Sequence, residues 1–341
     1  MSELELPDGL RDELRGAWHR YLDLLNPFRP ALHAYCRRLT RNLWDAEDLA
    51  QDTLLRAFGS LGRHHDPIRN PRAYLLRTAT NVWIDQLRRR EFEAKALAES
   101  QEPATAEAPS EGAVRDAGRT LLERLAPQER AAVILKDVFD MSLEESAEVL
   151  ETTPGAVKAA LHRGRSRLRA PEKELLVRHK APSPALVDRF VELFNASDEP
   201  GLLDLVLDNA TAENVGVGAQ WGREQHRGKN SWFEGALGGH PEWPEEWRYE
   251  ARRVERVLFR DEPIVVFWVT RRGREAVEVV VRLEEQEGRV SKLRSYGFCP
   301  ETVRAVGEEL GVRVRTGIYR YPTPEPGGFY RSPDSHEGES A

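Results

Sequence analysis

The sequence predicts two architectures in one chain: an all-α first half and an α+β second half with an antiparallel sheet. Three observations predict this. Apolar residues recur at three- to four-residue spacing through residues 10–60 and 71–90, the period of a helix with one buried face. Four strand-like runs follow at 247–258, 263–270, 275–285 and 289–296. Proline-containing stretches without periodicity, 91–118 and about 170–184, separate the parts. A length of 341 residues suits two or three domains, and 40% hydrophobic residues suffice for a packed core. Two cysteines, Cys36 and Cys299, exclude a disulfide scaffold and a four-cysteine zinc site, and fit a reducing cytoplasm. Neither an apolar run long enough to span a membrane nor a secretion signal is visible, so the expectation is a soluble cytoplasmic protein with no membrane contact.

The elements follow in order. In YCRRLTRNLWDAEDLAQDTLLRAF, Leu39, Leu43, Leu49, Leu54, Leu55 and Phe58 form an apolar stripe, and Asp45 is a candidate cap for the helix after it. Pro71 suits the first turn of a helix whose apolar face holds Tyr74, Leu75, Ala79, Val82, Trp83 and Leu87. A helix resumes over 119–135, with Pro127 marking a break or a new first turn. Ser142 and Glu145 form a capping box for a short helix over 142–150. Thr152, Thr153 and Pro154 make a turn, and 155–169 is a second helix with Val157, Ala160, Leu161 and Leu168 facing inward. In the second half, ALVDRFVELFNASD, EPGLLDLVL and QHRGKNSWFEGALG read as helices and ATAENVGV as a strand. PETVRAVGEELG is a closing helix, and the final Pro- and Gly-rich residues read as a flexible tail.

Charge is sorted along the chain. Residues 1–181 hold 29 basic and 29 acidic side chains, so the net −7 belongs to residues 182–341. Within the neutral half, seven arginines in 63–90 and eight Lys or Arg in 154–180 flank an acidic stretch, 99–113. Two basic blocks around an acidic spacer suit two contacts with a polyanion, although Arg-rich helix faces are also simply well solvated.

A short helix, a tight turn and a second helix with a basic end form a helix–turn–helix pattern over 142–169. Taken with DAEDLAQDTLLRAF (45–58) and NPRAYLLRTATNVWIDQLRRR (70–90), LAPQERAAVILKDVFDMSLEESAEVLETTPGAVKAALHRGRSRLR (125–169) resembles a bacterial sigma factor of the extracytoplasmic-function (ECF) group. The resemblance implies region 2 at 10–92, an acidic linker at 93–118 that runs through the polymerase interior, and region 4 at 119–170. It also implies binding to core RNA polymerase, through the β′ clamp helices and the β flap, and to promoter DNA. The acidic helix face Asp45, Glu47, Asp48, Gln51, Asp52 and Leu55 would dock on the clamp helices, which are basic. The −10 element would be met and melted by the loop carrying His64 and His65, then by Arg72, Tyr74, Arg77, Asn81, Trp83, Asp85 and Arg88, which supply cations and aromatic walls for an extruded base. Trp83 also sits on an apolar face, and Asn81 and Asp85, one turn apart, suit either caps or base readers. The −35 element would be read by Thr153, Gly155, Lys158, Ala159 and His162, with Arg163 and Arg165 on phosphates. His64 and His65 have no further ligand residues nearby, so no metal is expected.

After a linker at 171–184, the order of elements over 185–312 and the segment WGREQHRGKNSWFEGAL resemble the SnoaL-like branch of the NTF2-like fold, a curved sheet wrapped against helices, with a tail at 313–341. Sigma factors with such a fused extension use it to tune activity. The fold encloses a conical pocket, so Asp208, Trp221, His226, Trp232 and Trp268 are candidate pocket residues for a small-molecule ligand, with Glu224, His240 and Phe267 beside them. No catalysis and no cofactor are expected. The alternatives are a ligand-responsive helix–turn–helix regulator that does not engage polymerase, and a fused cyclase-like enzyme using a carboxylate in that pocket.

Overall fold

The computed structural model describes residues 9–61, 68–100, 125–168, 181–226, 231–238, 250–316, 320–322, 329–331 and 338–340. The chain divides into a helical unit, Leu24–Val177, and a second unit joining Met1–Asp23 to Arg178–Ala341.

Helix α1 spans Leu10–Leu25, and a 3-10 turn, Asn26–Phe28, leads into α2, Arg29–Thr40. Arg41 leaves α2 in the left-handed region (φ 66°) and returns its N–H to the Arg37 carbonyl, which turns the chain into α3, Leu43–Leu61. The cap of α3 is Asn42 rather than Asp45: its Oδ1 accepts from the amides of Trp44 (2.8 Å) and Asp45 (3.2 Å). The helix therefore starts earlier, and Asp45 lies in its first turn, a favourable place for a carboxylate. Helix α4, Pro71–Ser100, opens at Pro71 as expected, with Asn70 Oδ1 accepting from Ala73 N at 3.0 Å. It continues through EFEAKALAES, eight residues into the expected linker, because that stretch is rich in strong helix formers and lacks Gly and Pro. Residues 101–118 of the expected linker lie outside the described residues. Leu32, Tyr35, Leu39, Leu49, Leu54, Leu75 and Leu76 fill the interior among these helices, where the Tyr35 hydroxyl meets Thr80 Oγ1 at 2.8 Å.

Helix α5, Pro127–Val133, widens into one π turn over Ile134–Val138. Helices α6, Leu143–Val149, and α7, Pro154–Leu168, follow. Leu125, Ala132, Val133, Ala147, Val157, Ala160 and Leu161 form the cluster that holds α5, α6 and α7 together.

In the second unit, α8 (Pro184–Asn195) and α9 (Glu199–Leu205) precede β1 (Val206–Asn214) and β2 (Gly218–Trp221). A 3-10 turn (Arg223–His226) and α10 (Trp232–Gly238) lead to the meander β3 (Ala251–Phe259), β4 (Glu262–Arg271), β5 (Arg274–Gln286) and β6 (Arg289–Ser295). Helix α11 (Pro300–Leu310) and the short strands β7 (Val314–Thr316), β8 (Arg320–Pro322), β9 (Phe329–Arg331) and β10 (Gly338–Ser340) complete it. The four strand-like runs become β3–β6, paired antiparallel. The sheet as a whole is mixed, not antiparallel: β1 lies parallel to β6, and β5 meets β7 in parallel at Val277 and Val314. The long crossover between β1 and β6 brings them together running the same way, and the 13-residue β5 has room for β6 beyond Val281 and β7 before it. Register shifts at Phe267/Trp268 and Glu284/Glu285 bend the sheet. Leu186, Phe190 and Phe194 of α8 and Trp232 and Phe233 of α10 cover one sheet face, against Val254, Phe267, Val281 and Leu293. Helix α11 packs on β5 and β7. Strands β7–β10 replace the expected structureless tail where its residues are described.

Candidate nucleic-acid interface

Helix α3 sorts its polar residues by face. Asp45, Asp48, Asp52 and Leu55 recur every three to four residues, so they share one side of the helix. Asp52 is exposed and accepts from Gln86 Nε2 at 2.9 Å, and Leu55 is 54% exposed. Glu47 and Gln51 are turned into the core instead and correct the expectation of a six-residue docking face. Glu47 is fully buried, accepting from Arg29 Nη2 at 2.8 Å and Gln51 Nε2 at 2.7 Å, with His33 Nε2 3.4 Å away. A buried carboxylate needs such partners to offset its lost hydration. Glu47 ties α2 to α3, Gln51 bonds to it from one turn along, and both side chains are buried.

Helix α4 presents a mixed face. His64 and His65 lie outside the described residues. Arg72 and Asn81 are exposed, and Arg88 is exposed beside Asp85, which also accepts from Arg56 at 3.4 Å. The Tyr74 hydroxyl bonds to the Ser60 hydroxyl, and Arg77 lies over the Tyr74 ring at 5.8 Å. Trp83 is corrected from DNA-facing to core: it is 3% exposed, with the Arg130 guanidinium over its ring at 5.1 Å.

The α6–turn–α7 segment has helix–turn–helix geometry. Ser142 Oγ accepts from Glu145 N at 3.0 Å while Glu145 accepts from Ser142 N at 2.7 Å, and hydrogen bonding of the Glu145 carboxyl to the Ser142 backbone N–H, then to its hydroxyl, holds that carboxyl below its usual range. Thr153 Oγ1 caps α7, accepting from Ala156 N at 3.2 Å. Val157, Ala160 and Leu161 are buried, as expected, which turns Thr153, Gly155, Lys158, Ala159 and His162 outward, all exposed. The side chain of Leu168 lies outside the described residues. Arg163 and Arg165 depart from a purely phosphate-facing role. Arg163 Nε donates to the buried Glu129 at 3.0 Å, and Arg165 Nε to Asp137 at 3.1 Å. Sequence reading missed these acids, because Glu129 and Asp137 reach the α7 arginines only once α5 folds back on α7.

It also missed Gly164. A Cβ there would stand 2.9 Å from Val133 Cγ2 and 3.5 Å from the Glu129 carbonyl, so α5 and α7 approach closely through it. Gly164→Val is expected to destabilise the helical unit by about 1–3 kcal/mol through overpacking. The midpoint of urea unfolding checks this, and an unchanged midpoint would remove the close-packing role.

The five candidate pocket residues do not converge. Trp221 is 64% exposed on β2, Asp208 is exposed and paired with Arg223 at 3.5 Å, and Trp268 donates to Glu255 at 2.8 Å under the Arg253 guanidinium. Only His226 and Trp232 share surroundings, on either side of Phe233 (ring centroids at 6.2 and 5.4 Å). Trp232 packs with Phe194 and Phe267, so these aromatics are core. Glu224 is exposed, and His240 lies outside the described residues. His226 is buried, and burial pushes its pKa below the usual 6.5, against a weaker upward pull from the backbone at Ala210. A histidine held neutral in the fold binds its proton more readily when unfolded, so stability falls as pH drops below about 6.5. His226→Phe is expected to flatten the difference in thermal midpoint between pH 7.5 and pH 5.5. An unchanged pH dependence would show that His226 does not cause it.

Among the described residues no group of His, Cys, Asp and Glu is arranged to hold a metal ion, and no helix is long and apolar enough to cross a membrane.

Comparison with known proteins matches this geometry. Residues 24–93 match sigma-70 region 2 and residues 116–168 match sigma-70 region 4. The chain therefore carries segments matching both sigma-70 regions. The chain is similar to ECF sigma factors. It is 31% identical over 261 residues to the ECF RNA polymerase sigma factor SigG of Mycobacterium tuberculosis, covering 66% of this chain and 65% of that one. It is 27% identical over 187 residues to the ECF sigma factor SigW of Bacillus subtilis, covering 51% of this chain and all of SigW. The chain thus spans about two thirds of the length of its SigG relatives. Among solved structures, an NTF2-like protein of Cytophaga hutchinsonii is 14% identical with a TM-score of 0.23, over 35% of this chain and 93% of that one.

Proposed function

We propose that this protein is a cytoplasmic sigma factor that binds core RNA polymerase and directs promoter-specific initiation. The observation that carries the reading is the pairing of a sigma-70 region 2 with a region 4 whose α7 turns Thr153, Gly155, Lys158, Ala159 and His162 outward as one continuous face. That face suits base edges of a −35 element in the major groove. Arg72, Arg77, Asn81 and Arg88 on α4 suit the −10 element and its displaced strand. Asp45, Asp48, Asp52 and Leu55 form the polymerase-docking face, an apolar anchor ringed by acids. The protein works by binding rather than by covalent chemistry; among the described candidate pocket residues, Asp208 is paired with Arg223 and Trp268 with Glu255, which gives the cyclase-like alternative no support. The acidic second unit, read as an NTF2-like extension, tunes the sigma regions.

Co-elution of the full chain with core polymerase on a sizing column tests the reading. Leu55→Arg, an exposed substitution, is expected to weaken the complex about tenfold or more. Failure of the unsubstituted chain to bind core polymerase would favour the DNA-binding regulator instead.

A further inference from the structure

Two acids reach the arginines of α7, and they hold them differently. Glu129 of α5 is buried and uses both carboxylate oxygens inside the fold, one accepting from Arg163 Nε at 3.0 Å and the other from the Ala126 amide at 3.2 Å. It takes only Nε of Arg163, whose two terminal nitrogens have no partner among the described residues on a side chain that is 56% exposed. Asp137, in the π turn, takes two nitrogens of Arg165: Nε donates to Oδ2 at 3.1 Å and Nη2 donates to Oδ1. That pair forms the planar edge with which a guanidinium grips a phosphate through two parallel bonds. A bidentate carboxylate is also the geometry in which an exposed ion pair counts. Lys158, on the outward face of the same helix, is exposed and has no acid partner among the described residues.

We infer that Asp137 is a built-in counterion that competes with DNA phosphate for Arg165, and so lowers the affinity of α7 for duplex DNA of any sequence. This role rests on the DNA-facing reading of α7 proposed above. An arginine that stays on its carboxylate neutralises no phosphate and releases no counterion from DNA. A phosphate takes Arg165 only by displacing Asp137, an exchange of one anion for another with little net gain. Arg163 differs, because Glu129 holds it from behind and leaves the Nη1–Nη2 edge open. Non-specific binding is almost entirely phosphate contact, whereas specific binding adds base contacts that Asp137 does not touch. The acid therefore discounts non-specific binding the most, which makes Asp137 a specificity-determining residue. The Arg165–Asp137 pair is partly exposed, so salt screens it and the competition is strongest at low salt.

Fluorescence anisotropy of the full chain with a random-sequence DNA duplex, followed as a function of salt, tests this. Asp137→Asn keeps the shape of the side chain and removes its charge. It is expected to bind about threefold tighter at low salt, with the slope of log affinity against log salt steeper by about 0.9, the share of one phosphate. In the parent, Arg163→Ala is expected to flatten the slope by about 0.9 and Arg165→Ala to leave it unchanged. Added to Asp137→Asn, Arg165→Ala is expected to abolish the whole gain, which separates release of Arg165 from the loss of one negative charge. A purely structural ion pair would shift the unfolding midpoint and leave the slope where it was. An Asp137→Asn variant that matches the parent, a gain that survives Arg165→Ala, or equal effects of Arg163→Ala and Arg165→Ala in the parent would overturn the competition. Lys158→Ala distinguishes that failure from failure of the underlying reading. It is expected to flatten the parent's slope by about 0.9; if it does not, α7 does not face DNA and the role of Asp137 falls with it.

Discussion

Glu47→Ala is expected to destabilise the helical unit by about 3–5 kcal/mol, the range for breaking a buried ion pair by removing one partner. The carboxylate compensates Arg29 at 2.8 Å and orders Gln51, with His33 alongside, and all four side chains are buried. Removing it takes the carboxylate away from the buried Arg29 guanidinium, and losing a charge partner in the interior is costly. Most of the loss is therefore the penalty on Arg29 and not the net worth of the pair. Arg29→Met combined with Glu47→Leu should then recover most of the stability, because two apolar side chains replace two charges with neither left over. The urea midpoint of the helical circular dichroism signal reads both. If Glu47→Ala unfolds within about 1 kcal/mol of the parent, the range of an exposed pair, Glu47 is not the buried hub described and its assignment to a docking face reopens.

Trp83→Ala should cost about 3–5 kcal/mol, the range for truncating a buried large aromatic. Trp83→Phe should cost less, since it keeps a buried ring beneath the Arg130 guanidinium. The comparison separates two roles for one residue. As part of the core, Trp83 sets stability, and the phenylalanine variant keeps the parent's affinity for promoter DNA. As a stacking platform for an extruded base, it would set DNA affinity, and its alanine variant would remain stable while losing strand opening. Thermal melting with a fork-junction binding assay decides between them.

What could be read in the sequence was what short-range geometry determines. The Ser142–Glu145 capping box and the Thr153 turn involve residues a few positions apart, so the helix–turn–helix was legible in letters. So was the α7 division between buried Val157, Ala160 and Leu161 and the exposed face opposite. Among the residues expected at the −10 element and on the docking face, burial was not legible, because it depends on distant partners. Nothing near Glu47 announces Arg29, 18 residues earlier and on another helix, so an acid on an amphipathic helix reads as surface. Arg163 and Arg165 look free until α5 brings Glu129 and Asp137 beside them. Asn42 and Asp45 are both good caps, and only the observed start of α3 chooses between them. In the second unit the meander β3–β6 was evident from alternation and turns, whereas the parallel pairing of β1 with β6 joins residues about 80 positions apart and leaves no local pattern.

Run-off transcription with purified core polymerase on a promoter library, comparing the full chain with a 1–180 truncation, tests the central claim most directly. Promoter-dependent transcripts from both, at different levels, are expected of a sigma factor whose second unit tunes it, and the direction of the difference gives the sign of that tuning. Absence of promoter-dependent transcript from both chains would contradict the assignment, and equal transcript levels at every salt concentration would remove the regulatory role of the second unit.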